Sequence, residues 1–86
     1  MNKIQRALVT KLARERGLKI VRPAALTVRR ERHGKGFRFI DRHGATIRDI
    51  KEIQRLKSLA VPPAYINVRL AADPNAHLQA IGEDAA

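Results

Sequence analysis

Few residues of this 86-residue chain could carry covalent chemistry, and none stands in a supporting constellation. The candidate nucleophiles are Thr10, Thr27, Thr46, Ser58 and Tyr65. Ser58 has Lys57 beside it but no His or acid close in sequence to act as its base. Tyr65 opens an extended run directly after Pro62-Pro63, where packing is the expected role. His33, His43 and His77 lack both cysteine companions and i,i+4 spacing, so they make no metal site. Gly34-Lys35-Gly36 is not a Walker-type phosphate loop, because the flanking Gly and Ser/Thr are absent. No active site and no cofactor are expected.

What the chain does hold in quantity is fixed positive charge. It carries 18 Lys plus Arg against 8 Asp plus Glu, a formal net charge of +10. The excess lies wholly in residues 1–42, where Glu15, Glu31 and Asp41 are the only acids; residues 43–86 balance to zero. An ordinary solvated surface mixes its signs, so such asymmetry implies a functional face for a polyanion, nucleic acid being the commonest. Phosphate binding needs only Lys and Arg suitably placed. Arg29, Arg30, Arg32, Lys35, Arg38 and Arg42 form one dense block that meets this need. Arg69 joins them because it opposes the core side of its own strand pattern. The bland alternative is a charged hairpin exposed to solvent, or a basic tail kept for solubility.

Lys35-Gly36-Phe37-Arg38-Phe39-Ile40 is similar to the RNA-recognition-motif consensus, but Arg38 replaces its small residue. No aromatic residue precedes Lys35, and three aromatics in all make a poor stacking platform for single strands.

These side chains must be positioned by local elements. Ile4, Leu8 and Leu12 recur every four residues, which predicts a basic amphipathic helix over 2–16 with Gly17 as its stop. Leu26-Thr27-Val28 is a short β-prone run, and His33-Gly34-Lys35-Gly36 marks a tight turn or connector. Phe37-Arg38-Phe39-Ile40 alternates as a strand with both aromatics on one face. Through the turn Asp41-Arg42-His43-Gly44 it is expected to form a hairpin with Ala45-Thr46-Ile47. Asp49, with Glu52 three positions on, caps a helix over 50–60 whose apolar face is Ile50, Ile53, Leu56 and Leu59/Ala60. Val61-Pro62-Pro63 ends it. Ala64–Ala72 reads as a strand with Ile66, Val68, Leu70 and Ala72 on one face; His77–Ile81 reads as another. The expected fold is α+β: a small antiparallel β-sheet with two helices in a single domain.

Size and composition bound the reading. A chain this short buries only roughly 60–65% of its unfolded surface, so a two-domain enzyme with an interdomain cleft is excluded. The absence of cysteine removes disulfides, thiolate zinc sites and a Cys nucleophile, and fits a reducing compartment. Apolar runs of four or five residues neither span a membrane nor make a secretory signal.

Several segments together resemble one family. Gly17-Leu18-Lys19-Ile20-Val21, Lys35-Gly36-Phe37 with Ile40-Asp41, and Gly44 with Ile47-Arg48-Asp49 are similar to the opening of bacterial, poxvirus-like type IB DNA topoisomerases. So are Leu59-Ala60-Val61-Pro62-Pro63-Ala64-Tyr65 and His77-Leu78-Gln79-Ala80-Ile81-Gly82-Glu83-Asp84-Ala85, which are the more specific parts. The resemblance covers residues 17–86 and leaves 1–16 as a helix or extension outside it.

The resemblance implies the N-terminal DNA-binding domain of such an enzyme, half of a clamp around duplex DNA. It implies a monomer working with a C-terminal catalytic domain in the cytoplasm, at the nucleoid, with no metal, no ATP and no membrane. That second domain would hold the tyrosine nucleophile and form the transient 3′-phosphotyrosyl bond. Tyr65 inherits no such role, and the ragged ending at Gly82–Ala86 suggests a fragment that stops before the family's base-contacting strand. The alternative from another class is a small stand-alone basic RNA-binding or ribosome-associated protein.

Overall fold

The computed structural model describes residues 4–10 and 18–85. They form one five-stranded antiparallel sheet braced by one α-helix. The strands are β1 (Ile4–Thr10), β2 (Val28–His33), β3 (Gly36–Ile40), β4 (Ile66–Leu70) and β5 (Leu78–Ala85). The helix α1 (Ile50–Ser58) lies between β3 and β4 in sequence, and the sheet order is β1-β5-β4-β2-β3.

The expectation of two helices is not met among the described residues. Residues 4–10 form a strand, paired with β5 from Ile4↔Ala85 to Leu8↔Ile81. A spacing of four puts Ile4 and Leu8 on one face of a helix, but also on one face of a strand, because four is an even number. The backbone of β5 decides between the two by supplying a hydrogen-bonding ladder that a short isolated helix could not match. The remainder of the expected helix, 11–16, and Gly17 lie outside the described residues.

The block around Gly34-Lys35 is a true hairpin. β2 and β3 pair from Arg29↔Ile40 to His33↔Gly36, leaving Gly34 and Lys35 as the two-residue turn. Gly34 has φ +58°, the positive φ that the primed turns of tight hairpins need at their first central position. The hairpin expected between Phe37–Ile40 and Ala45–Ile47 survives only as a single bridge, Ile40↔Thr46, and the Ile47 N–H to Phe39 carbonyl bond of 2.8 Å.

Helix α1 starts where the sequence says it should. The Asp49 carboxylate accepts from the Lys51 N–H at 3.1 Å, satisfying one of the orphan donors of the first turn. Leu56 is buried against Val28, Phe39, Val68, Leu70 and Ala80, with Ile53 and Leu59 at the margin of that cluster. Ile50, expected on the apolar face, is instead 71% exposed.

Strand β4 also departs from simple alternation. Asn67 has φ +52° and the pairing with β5 shifts register between Ile66 and Arg69, the signature of a bulge. Val68 and Leu70 still face α1, but Ile66 is turned outward and Ala71, rather than Ala72, is buried. Beyond the bulge Tyr65 packs on Gly82, where an added Cβ would stand 3.0 Å from the ring. Gly82 therefore lies inside β5, which runs on to Ala85 instead of ending at Ile81.

β5 is paired on both sides, and its side chains from Leu78 to Ile81 are buried. One of them, Gln79, is polar and has no exposed surface. Its carboxamide nitrogen donates to the carbonyls of Ala76 at 2.6 Å and Asp73 at 3.1 Å, closing the turn before the strand. Its oxygen accepts from Arg55 Nη1 at 2.7 Å, while Arg55 also bonds the Ala71 carbonyl and pairs with Glu52. Replacing Gln79 by Leu strips Arg55 and two carbonyls of partners in a buried place. Urea unfolding is expected to show a loss of about 2–4 kcal/mol, and a loss below about 0.5 kcal/mol would show that the network is dispensable.

Candidate nucleic-acid interface

Pairing in the β2–β3 hairpin sorts the basic block into two faces. Residues opposite one another on antiparallel strands share a face. Arg30 stands opposite Phe39 and Arg32 opposite Phe37, on the α1 side. Arg29 stands opposite Arg69, and Glu31 opposite Arg38, on the other side. Six of the seven residues singled out in the sequence therefore lie on or beside one hairpin, and Arg69 joins them across β4. They do not form one continuous patch.

Arg30 is committed to the fold. Its guanidinium donates to the carbonyls of Val61 at 2.8 Å, Pro62 at 2.9 Å and Tyr65 at 3.3 Å, and lies 4.2 Å from the Phe37 ring centroid. Burial, then the neighbouring charge of Arg32, lower its pKa from the ordinary guanidinium value. Arg32 is more exposed; it stacks 5.2 Å from the same ring and reaches the Pro63 carbonyl at 3.4 Å. The two prolines interrupt regular backbone pairing here; the Pro62 carbonyl takes the Tyr65 N–H at 3.1 Å, and Arg30 supplies a further donor to it and to the carbonyls of Val61 and Tyr65. Arginine offers several donors in one planar head and so can hold three of them at once.

The opposite face is open. β2 and β4 pair only at Val28↔Leu70 and Arg29↔Arg69 before the Asn67 bulge separates them. The gap is a groove of about 540 Å³ lined by Arg29, Arg30, Glu31, Asn67, Val68, Arg69 and Glu83, Arg30 reaching it through the space between the strands. Glu31 lies between two arginines, 3.9 Å from Arg29 and 3.2 Å from Arg38. Asn67 donates to the Glu83 carboxylate at 2.8 Å. Arg69 is exposed, and among the described residues it has no carboxylate within ion-pair distance. Reading the sequence alone misses Asn67 and Glu83 as groove residues; the available signal is an Asn, a residue that tolerates positive φ, inside an otherwise β-prone run.

Lys35 sits exposed at the hairpin tip, and Arg42 projects from the Asp41–Gly44 turn with its Nε donating to His43 Nε2 at 3.2 Å. That turn is organised by Asp41, whose carboxylate accepts from the N–H groups of His43 at 2.8 Å and Ala45 at 3.0 Å. The Ala45 N–H bond, assisted by that of His43 and by the charges of His43 and Arg42, holds the Asp41 carboxyl below its ordinary pKa. Ser58, expected to lack a base, donates its hydroxyl to the Arg55 carbonyl at 2.6 Å. Among the described residues no three His, Cys, Asp or Glu side chains gather as a metal site, and no helix is long and apolar enough to cross a membrane.

With the fold and this face in view, comparison with known proteins gives a family. Residues 36–84, more than half of the chain, match the family of the bacterial DNA topoisomerase IB N-terminal domain. The chain belongs to that family. It is also 53% identical over 34 residues to the DNA topoisomerase 1B of Acanthamoeba polyphaga mimivirus, a segment amounting to 40% of this chain and 10% of the viral protein. No solved structure matches the chain.

Two outcomes follow from this geometry. Arg30→Ala should destabilise the fold by about 1.5–3 kcal/mol, because the carbonyls of Val61 and Tyr65 lose this donor and that of Pro62 is left with the Tyr65 N–H alone. Arg38→Ala, which removes one exposed ion pair, should change stability by less than about 1 kcal/mol. Equal losses in denaturant titrations would refute the division into a structural and a free arginine. As for pH, a carboxyl whose folded pKa is depressed contributes stability above its unfolded value, about 3.9. The contribution disappears as the pH falls through the lower folded value. Asp41→Asn keeps the acceptor oxygen but cannot titrate, so its urea midpoint should fall less steeply below pH 4 than that of the parent chain. An unchanged acid limb would disprove the role of Asp41.

Proposed function

We propose that this domain binds duplex DNA as the N-terminal half of a type IB topoisomerase clamp. The catalytic domain of that enzyme is its partner, and it relaxes supercoils through a transient 3′-phosphotyrosyl bond. The observation that carries the reading is the placement of Arg29, Arg38 and Arg69 together on the sheet face that α1 leaves uncovered. Lys35 at the hairpin tip and Arg42 in the turn at the other end of β3 are exposed further cations. Arg32 is a secondary contact at the opposite side of the hairpin, and Arg30 contributes by holding the Pro-Pro loop. Family membership supports the assignment of the polyanion to DNA.

Contacts of this kind reach phosphate oxygens and carry little sequence information. Neutralising about four to six phosphates should make log K fall with log salt at a slope near −4 to −5. Fluorescence anisotropy with a labelled duplex, repeated at several salt concentrations, measures it. The double replacement Arg38→Ala and Arg42→Ala should weaken binding to unrelated duplexes alike. A flat salt dependence, absent binding, or loss confined to one duplex sequence would overturn the proposal.

A further inference from the structure

The open face contains a conflict that the fold does not resolve by itself. Arg29 and Arg69 are direct cross-strand partners, with their Cα atoms paired on neighbouring strands. Like charges placed so are mutually destabilising unless an anion lies between or beside them. The carboxylate nearest to them in ion-pair terms is Glu31, and it is shared: its contact with Arg29 is 3.9 Å, while its shorter contact, 3.2 Å, goes to Arg38. The other groove carboxylate, Glu83, is engaged by Asn67. The groove thus has Arg29 and Arg69 side by side on neighbouring strands, Arg30 beside them but committed to carbonyls, one carboxylate leaning on an edge of the pair, and room for a phosphate group.

We propose that the groove between β2 and β4 seats a single phosphodiester on Arg29 and Arg69, and that Glu31 is the internal competitor this phosphate displaces. In the free chain Glu31 holds Arg29 and Arg38 in exposed ion pairs. A phosphodiester entering the groove takes over Arg29 and relieves its repulsion with Arg69, while a neighbouring phosphate on the same strand competes with Glu31 for Arg38. Glu31 and Glu83 flank the seat on either side and repel further phosphates, so only one is admitted. A carboxylate at this position keeps the interface reversible, because every binding event must first break a pair of ionic contacts. The inference rests on the DNA-binding reading above and adds to it a named seat and a named competitor.

The test uses this chain and a labelled duplex of about 20 base pairs at about 0.1 M salt. Glu31→Gln keeps the shape of the side chain and removes its charge. It should tighten binding by about threefold to tenfold, the scale set by releasing two exposed ion pairs. Glu83→Gln makes the same change in net charge within the same groove while leaving the pairs of Glu31 with Arg29 and Arg38 intact, and should alter affinity by less than about twofold. Arg69→Ala should weaken binding. In an Arg29→Ala, Arg38→Ala background, Glu31→Gln should do no more than Glu83→Gln does, since no arginine remains to be released. Thermal melts of each variant verify that the fold is intact.

Equal gains from the Glu31 and Glu83 replacements would reduce the effect to general electrostatics and overturn the competitor. A neutral or weakening Glu31→Gln would do so too, while loss of affinity in Arg69→Ala would leave the DNA reading standing. Absence of salt-dependent duplex binding by the parent chain would bring down the DNA reading itself.

Discussion

A polar side chain with no access to water must find all its partners inside the protein, and Gln79 imposes that condition on this fold. Its amide nitrogen closes the 73–76 turn and its oxygen receives Arg55 from α1, so strand, turn and helix are tied at one point. Arg55 in turn reaches the Ala71 carbonyl and Glu52, and no buried side-chain polar atom among the described residues is left without a partner. The apolar contacts of Leu56 set how closely the helix approaches the sheet, but they are not directional. The hydrogen bonds to Gln79 are directional and fix where along the sheet the helix sits. Because α1 is held over Val28, Phe39, Val68 and Leu70, the side chains of Arg29, Arg38 and Arg69 come to lie on the other face, beside a second apolar cluster of Leu26, Ala71, Ala76, Leu78 and Ile81.

The basic residues show how one residue type serves two purposes in adjacent positions. Arg29 and Arg30 are neighbours in sequence, yet pleating sends them to opposite faces. Arg30 meets the carbonyls of the segment around Pro62-Pro63 and becomes part of the frame. Arg29 meets another arginine across the ladder and is left with electrostatic work undone. The bulge at Asn67 matters to both: by separating β4 from β2 it opens the groove beside Arg29 and brings Tyr65 and its carbonyl within reach of Arg30.

Legibility in the sequence follows the range of the interaction concerned. The Asp49 cap, the Gly34-Lys35 turn, the burial of Leu56 and the two-sided pattern of Val68 and Arg69 all depend on residues within a few positions, and each is readable. The segment 4–10 misleads because its spacing satisfies two periodicities, and the choice belongs to β5, about seventy residues away in the chain. The exposure of Ile66 hinges on a single positive φ, which turns the strand on either side of it to different faces. Gln79 carries no signal at all: a lone glutamine in an apolar run does not announce that an arginine will come to it.

The sequence by itself determined that the chain is one small basic domain, that its charge excess lies in its first half, and that its segments resemble those of the type IB topoisomerase N-terminal domain. These are properties of composition and order, and they survive any folding of the chain. Only the tertiary structure decided which arginines face outward, that Glu31 stands between two of them, and that a groove opens beside Arg69. Those facts arise from cross-strand register and from a bulge, which place residues some forty positions apart side by side. The net charge of +10 announces a polyanion, while the pleat of the sheet settles which cations are free to meet it.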